Sequence, residues 1–292
     1  MKLLIRKTIY WLIAFIITVS AAFFQRLTGP THPLKVKFTH QSETYKLNLP
    51  RSHGGETNCP VEITLPEEYT GEIIFRPYPT DKAWDTIEFH RIDEHLIAFL
   101  PNQPPAGKLE YHINLRKNGT QIKLELDKNV VIRFKGDVPN WALLPHVLFM
   151  FLAMLWSNAT GILAAAKIRS YKRNALITVT LFAIGGLILG PIVQKYAFGA
   201  YWTGWPFGED LTDNKVLAAA IIWIAALILD RKKERPWFII VAAIFLFLIY
   251  MIPHSMRGSE LDYESGEVVT GMLLLLTVNI WWTKIRIQRR NR

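Results

Sequence analysis

The sequence predicts an α-helical integral membrane protein of about six spans with an inserted extracytoplasmic domain, an all-β Ig-like sandwich. Its 292 residues are 50% hydrophobic and only 20% charged, which is too apolar for an ordinary soluble domain. The apolar residues concentrate in long runs, and one intervening stretch alternates at the period of β strands. These patterns predict an N-terminal anchor or signal segment at 1–25, a β domain at 31–138, a helical core at 141–284 and a basic tail at 285–292.

Six apolar runs are candidates for the spans, and crossing the hydrocarbon takes roughly 20 residues. The second and third runs reach this length alone, whereas the others need flanking residues or a small tilt. The runs are Thr8–Phe24, Trp141–Ala166, Asn174–Val193, Val216–Leu229, Trp237–Ile252 and Val268–Trp282.

The basic residues predict the orientation. The segments "KLLIRK", "KIRSYKR", "DRKKER" and "KIRIQRRNR" alternate with the other loops, so placing all four in the cytoplasm satisfies the positive-inside rule. The protein is then a multi-pass protein of a bacterial-type inner membrane, with the β domain and loop 195–215 outside and the C-terminus in the cytoplasm. Because this accounts for the net charge of +10, nucleic acid is not an expected partner.

The β domain is predicted from short alternating runs such as "LKVKFT", "VEITL" and "NVVIRFKG", separated by turn residues. They predict seven or eight strands in an Ig or fibronectin type of sandwich. The pair Asn118–Gly119 between two such runs is a strong hairpin signal. The single cysteine, Cys59, excludes an internal disulfide, and we expect a small buried hydrophobic residue. Without a nucleophile motif, the domain is interpreted as a docking module.

Two histidines outside the β domain are the leading site candidates. His146 and His254 lie at the outer ends of the second and fifth runs, on the same membrane side as the aromatic loop 195–215. Each can be an ordinary interfacial histidine that is satisfied by a hydrogen bond. Together with aromatic rings they provide what a bis-histidine haem b site requires, two axial nitrogens and apolar walls. We therefore predict haem iron bound by His146 and His254.

The run Leu181–Leu229 resembles the tryptophan-rich, WWD-type segment of the cytochrome c assembly membrane proteins, which handle haem. Its "FGAYW", Phe198 to Trp202, matches the family pattern W-G-x-Y-W, and Trp205 matches the next Trp after one inserted residue. The strings "ALLPHVLFMFLAML" and "IPHSMRG" resemble the family's two flanking histidine motifs. The resemblance covers roughly residues 141–256 and implies that His146 and His254 are axial haem ligands. It departs from the pattern at Phe198, which replaces a Trp, and after Trp202.

The aromatic loop has two interpretations. Trp and Tyr favour the membrane interface, so an aromatic belt explains the rings without a ligand. The belt does not explain the interleaved glycines, which permit tight turns and close approach of a flat ligand. It also does not explain the carboxylates Glu209, Asp210 and Asp213, of which Asp213 can serve as the N-cap of the following span. The candidate haem contacts of the loop and its flanks are Gly199, Tyr201, Trp202 and Trp205, with Lys195 and Arg257 as partners of the propionates.

Three functions follow from these patterns. The first is a protein that holds or presents haem, in cytochrome c maturation or haem trafficking, while the sandwich docks an apocytochrome or assembly factor. The second is a membrane b-type cytochrome, and the third a non-enzymatic sensor or scaffold that works through its β domain. No residue pattern indicates catalysis. Because every candidate site residue follows Trp141, we expect the β domain not to contribute to the site.

Overall fold

The computed structural model describes residues 2–40, 42–122, 124, 128–253 and 258–269. His254, Arg257, nearly all of the predicted sixth span and the basic tail lie outside these ranges, so the predictions made for them remain predictions.

Six α-helices are described, and the third and fourth are joined without a break by a π-helical turn at Ala183–Leu189. The helices are α1 (Lys2–Thr28), α2 (Asn140–Ala165), α3 (Tyr171–Phe182), α4 (Gly190–Phe198), α5 (Leu211–Lys233) and α6 (Pro236–Met251).

Four helical stretches are long and apolar enough to cross a membrane: Leu3–Thr28, Asn140–Ala165, Tyr171–Phe198 and Leu211–Arg231. The run Val216–Leu229, the shortest of the predicted apolar runs, is therefore the middle of the longer helix α5. Helix α6 has 16 residues and is shorter than the roughly 20 that a perpendicular crossing requires. Within the described ranges, the structure thus has four helices that could span a membrane.

Small residues allow the helices of the bundle to approach closely. A Cβ at Gly161 of α2 would lie 2.7 Å from the Cβ of Ala243 in α6. Where the π turn packs against α2, a Cβ at Gly185 would lie 3.0 Å from the sulfur of Met150 in α2. Interfaces of this kind suit a membrane, where close van der Waals contact rather than apolar burial holds helices together.

The β domain consists of antiparallel and parallel pairings in three sheets. The strands are β1 (Leu34–His40), β2 (Glu43–Leu49), β3 (Ser52–Gly54), β4 (Cys59–Thr64), β5 (Tyr69–Pro77), β6 (Asp85–Glu88), β7 (His90–Ile92), β8 (His95–Leu100), β9 (Lys108–Lys117), β10 (Thr120–Ile122) and β11 (Val130–Lys135). The largest sheet has the order β3-β11-β9-β5-β6 with β10 on β9, the second sheet has the order β4-β8-β7, and in the third β1 pairs with β2.

One hydrophobic core is shared by all three sheets, and strands of each sheet contribute buried side chains to it. Strand β4 alternates strictly, burying Cys59, Val61 and Ile63, and the prediction of a buried cysteine is confirmed. The predicted hairpin at Asn118–Gly119 is also confirmed, since Lys117 pairs with Thr120 across it. Both turn residues have positive φ, which this two-residue turn requires.

The β domain contacts one end of the helix bundle, which we call the β-proximal end. The Gly136 N–H, just after β11, donates to the carbonyl of Ala197 in α4 over 3.0 Å. After α6, residues 258–269 form a segment that we call the strap, which contains β12 (Glu260–Leu261) and β13 (Val268–Val269). The Leu261 N–H of the strap donates to the carbonyl of Ala106 in the β domain. The other end of the bundle carries the Lys172–Glu234 ion pair.

Candidate functional site

His146 lies near the β-proximal end of α2, one residue after a proline inside the helix. Its Nδ1 lies 2.9 Å from the carbonyl oxygen of Gly185 in the π turn. That oxygen can only accept, so Nδ1 carries the proton and, in the neutral ring, Nε2 carries the lone pair. Metal-bound imidazoles are usually fixed in this way, by donating from the second nitrogen to a carbonyl or carboxylate.

The π turn and its glycines bring this carbonyl to the histidine. Gly185 packs against the backbone of α2 at Met150, where a side chain would have no room. The Gly190 N–H also donates to Gly185, in the wide turn that defines a π-helix. The imidazole thus has a fixed orientation, and the sequence-based prediction missed this partner because a π turn has no recognised sequence signal.

The ring of His146 lines a cavity of about 130 Å³ at the β-proximal end of the bundle. Its wall combines apolar side chains from α2, α4 and α5 with polar side chains near the start of α5 and one arginine of the β domain. The lining residues are Arg133, His146, Met150, Gly186, Gly190, Val193, Gln194, Ala197, Phe198, Asp210, Thr212, Asp213 and Val216.

Arg133 of β11 is the β domain's contribution to this wall. Its side chain is buried, with 7% of the residue exposed, and its guanidinium lies 4.1 Å from the centre of the Phe198 ring. Its Nη2 donates to the carbonyl of Ser259 in the strap, while its Nε has no hydrogen-bond partner among the residues that the structure describes. Burial lowers the pKa of Arg133, and Asp210 opposes that shift. The cavity that contains His146 is thus lined by a residue that precedes Trp141, which the sequence-based expectation did not include.

Asp210 and Asp213 organise the loop that precedes α5. The N-cap is Asp210, whose Oδ1 accepts from the Thr212 and Asp213 N–H groups. The predicted N-cap role of Asp213 is therefore wrong. Instead the Asp213 Oδ2 accepts from the backbone N–H groups of Thr203 and Gly204, at 2.6 and 3.1 Å. A carboxylate at this position thus holds the aromatic loop against the helix that follows it.

The loop glycines and Lys195 have partners within the chain. Gly199 has φ of +86° and ends α4 in the left-handed conformation that favours glycine. A Cβ at Gly204 would lie 2.6 Å from the Cβ of Asp213, so the close approach that it permits is to α5. The Lys195 Nζ donates to the Gly199 carbonyl and lies 5.6 Å from the centre of the Tyr201 ring.

The predicted aromatic walls lie apart from the His146 cavity. Tyr201 and Trp205 are 60% and 69% exposed, and the Nε1 of the partly exposed Trp202 donates to the carbonyl of Trp205. The described lining of the cavity contains none of these three rings. Phe198 is the aromatic residue that the structure places in the wall, at the position where the resembled family has a Trp.

The cavity residues fit haem in one respect and not in another. The imidazole of His146 fits an axial ligand, because its tautomer leaves Nε2 free to bind iron. The cavity does not fit a macrocycle in this conformation, because about 130 Å³ is well below the roughly 300–1,000 Å³ of usual small-molecule pockets. The second predicted ligand, His254, and Arg257 lie outside the described residues, so the structure does not test their pairing with His146. Within the described ranges, no three His, Cys, Asp or Glu side chains are placed to hold a metal ion.

Comparisons with known proteins identify no relative of this chain. No protein family matches the sequence, and no curated protein matches it. Among solved structures, the FN1–FN3 domains of chicken CNTN1 match with 14% identity over 36% of this chain, with a TM-score of 0.21. The match spans 46% of the length of that structure, a little under half.

Proposed function

We propose that this protein binds a ligand in the cavity at the β-proximal end of its helix bundle, with His146 as the anchoring group and haem as the ligand. The proposed function is to hold or present haem on the outer side of the membrane, in cytochrome c maturation or haem trafficking, in a cavity that has to open to admit the macrocycle. The β domain would then meet the protein that delivers or receives the haem, such as an apocytochrome or an assembly factor.

A single observation carries this proposal, the hydrogen bond from His146 to the Gly185 carbonyl. A polar side chain inside a membrane bundle is costly unless it has a partner or a role. Among the described residues, Nε2 of this imidazole has no hydrogen-bond partner, so its lone pair is available to a ligand in the cavity. Bound haem would supply an iron that takes the Nε2 lone pair. The protein's own residues would fix the imidazole, supply apolar contact from Met150 and Phe198, and keep water from the site.

The proposal includes the finer architecture and orientation. The end of the bundle away from the β domain carries the basic segments "KIRSYKR" and "DRKKER", which favours that end for the cytoplasm. The β domain and the cavity would then face outward from a bacterial-type inner membrane. Helix α6 and the run Val268–Trp282 would complete six spans, and the strands of the β domain would form an Ig-like sandwich.

A second candidate function is a membrane-anchored docking module, and the outer surface of the β4-β8-β7 sheet favours it. Ile92 and Phe99 are 57% and 51% exposed there, and strand alternation places them on the same face as Ile97. Exposed apolar residues that share one sheet face are typical of protein-binding surfaces. Binding of a protein partner without any bound haem would favour this candidate.

Titration of haemin into the detergent-purified full-length protein tests the leading proposal. The wild-type protein should bind haemin with a saturable Soret change, and His146→Ala should weaken that binding at least about tenfold, since an axial bond is lost. His95→Ala is the matched control, because His95 is a half-exposed histidine of the β domain that contacts Glu62. Equal binding by His146→Ala, His95→Ala and wild type would rule out His146 as the anchoring group.

A further inference from the structure

The β domain and the helix bundle meet at the His146 cavity, and the contact between them is narrow and polar. We propose that the β domain is a lid over this cavity, held shut by the strap, and that a ligand enters when this contact separates. The inference rests on the proposed ligand site, but the movement itself does not depend on which ligand binds.

Arg133 makes the β domain part of the cavity wall. Its guanidinium lies against Phe198 of α4, and both side chains line the cavity. Lifting β11 away from the bundle would remove the arginine and open one side of the site. A cavity of about 130 Å³ is too small for a macrocycle, so a site of this kind must open before a large flat ligand enters.

The strap is bonded to both bodies and therefore reinforces the one direct backbone hydrogen bond described between them, from the Gly136 N–H to the Ala197 carbonyl. On the β-domain side, Glu260 forms an ion pair with Lys108, and the Tyr263 hydroxyl donates to the Lys108 carbonyl over 2.7 Å. On the bundle side, the Ser259 N–H donates to Asp210 over 3.3 Å, and its hydroxyl lies 3.2 Å from that of Thr203. Among the described residues, no hydrophobic core cluster crosses this contact, because one cluster lies in the β domain and the other in the bundle.

The chemistry of the contact favours a reversible closure over a permanent joint. Arg133 is a buried cation whose Nε has no acceptor within the described ranges, and burying such a donor without a partner costs free energy. Permanent interfaces are instead built from large apolar surfaces. On the other side of the domain, Arg51 donates to the carbonyls of His32 and Gly29 in the linker after α1. These bonds stay within the β domain and its linker and do not oppose opening.

Thiol labelling of a cavity residue tests the lid without any ligand. Ala197 lines the cavity and is buried, so Ala197→Cys in a full-length Cys59→Ala background should react slowly with a maleimide. Adding Lys108→Ala and Tyr263→Phe loosens the strap at residues that do not line the described cavity. The labelling rate at position 197 should then rise about tenfold, the factor expected from losing one or two net hydrogen bonds. Arg116→Ala, which removes an ion pair with Glu72 within the β domain, is the matched control and should not change the rate.

A second thiol separates opening from unfolding. In a chain that keeps Cys59 and lacks the cysteine at 197, the loosened strap should leave Cys59 as unreactive as before, because a lid moves as a rigid body. Faster labelling at both positions would mean that the β domain unfolds, and no change at position 197 would mean that the strap does not hold the cavity shut. Either result overturns the lid. Because the assay contains no haem, its failure is distinct from failure of the ligand proposal.

Discussion

The carboxylate of Asp213 is expected to be the main support of the aromatic loop, and its removal is a quantitative test of the local structure. Its Oδ2 accepts four hydrogen bonds, from the Thr203 N–H and hydroxyl, the Gly204 N–H and the Gln194 amide. Asp213→Ala leaves the backbone N–H groups of Thr203 and Gly204, which are both buried, without this acceptor. Asp213→Asn keeps an oxygen acceptor at nearly the same volume.

The magnitude follows from the two backbone donors. An unsatisfied buried N–H costs about 1–3 kcal/mol, so losing the acceptor of both should lower the free energy of unfolding of Asp213→Ala by about 2–6 kcal/mol. Asp213→Asn should lose about 1 kcal/mol, since it weakens the hydrogen bonds by removing the charge but keeps an acceptor. Glu209→Ala, at an exposed position of the same loop, should change the free energy by less than about 0.5 kcal/mol.

Equilibrium unfolding of the three variants in detergent micelles, followed by tryptophan fluorescence, measures these differences. Asp213→Ala should be the least stable, followed by Asp213→Asn and then by Glu209→Ala. If Asp213→Ala were as stable as Glu209→Ala, the hydrogen bonds to Asp213 would not support the loop. The explanation that Gly204 is required for close contact with α5 would then also be contradicted.

Two further predictions concern orientation and the buried thiol. For the orientation, single cysteines are placed in a Cys59→Ala background and exposed to a membrane-impermeant maleimide on intact cells. Cysteines at Glu209 and Ser265 should react, whereas cysteines at Ala166 and Lys167 should not. The reverse pattern would overturn the outward orientation of the β domain. Burial raises the pKa of the Cys59 thiol to about 11. At pH 8 this thiol should therefore react with a maleimide only after the protein unfolds, and rapid labelling of the folded protein would contradict its burial. Because the folded pKa is raised, the contribution of this thiol to stability should be complete below its ordinary pKa of about 8.5 and should be lost as the pH rises through about 11.

Local patterns in the sequence predicted the features that depend on neighbouring residues. The apolar runs located the described helices, and Asn118–Gly119 located a hairpin, because each signal lies within the element that it specifies. Alternation located most strands, but the β domain has eleven described strands instead of seven or eight, because β3 does not alternate and some predicted runs divide into two short strands. The length of α5 was underestimated, because its polar ends, "LTDNK" and "DRKK", continue the helix beyond the apolar run.

The site was predicted less completely, because its contacts join distant parts of the chain. Arg133 lies in "VVIRFK", where a charged residue on a strand looks like an ordinary surface position, and only the docking of the β domain buries it. The roles of Gly185 and Asp213 depend on partners 39 and 10 residues away. The loop aromatics were predicted from their number and type, but the fold turns Tyr201 and Trp205 outward and places Phe198 at the cavity.

The absorption spectrum of His146→Gly protein, with and without added imidazole, tests the central claim most directly. If His146 and His254 both bind the iron, wild-type protein should show a low-spin b-type spectrum, and His146→Gly should lose it. Imidazole should restore the low-spin bands by entering the space that the side chain leaves beside Gly185 and Gly190. A wild-type spectrum in His146→Gly without imidazole, or a wild-type protein that takes up no haem, would contradict the claim that His146 anchors haem in this cavity.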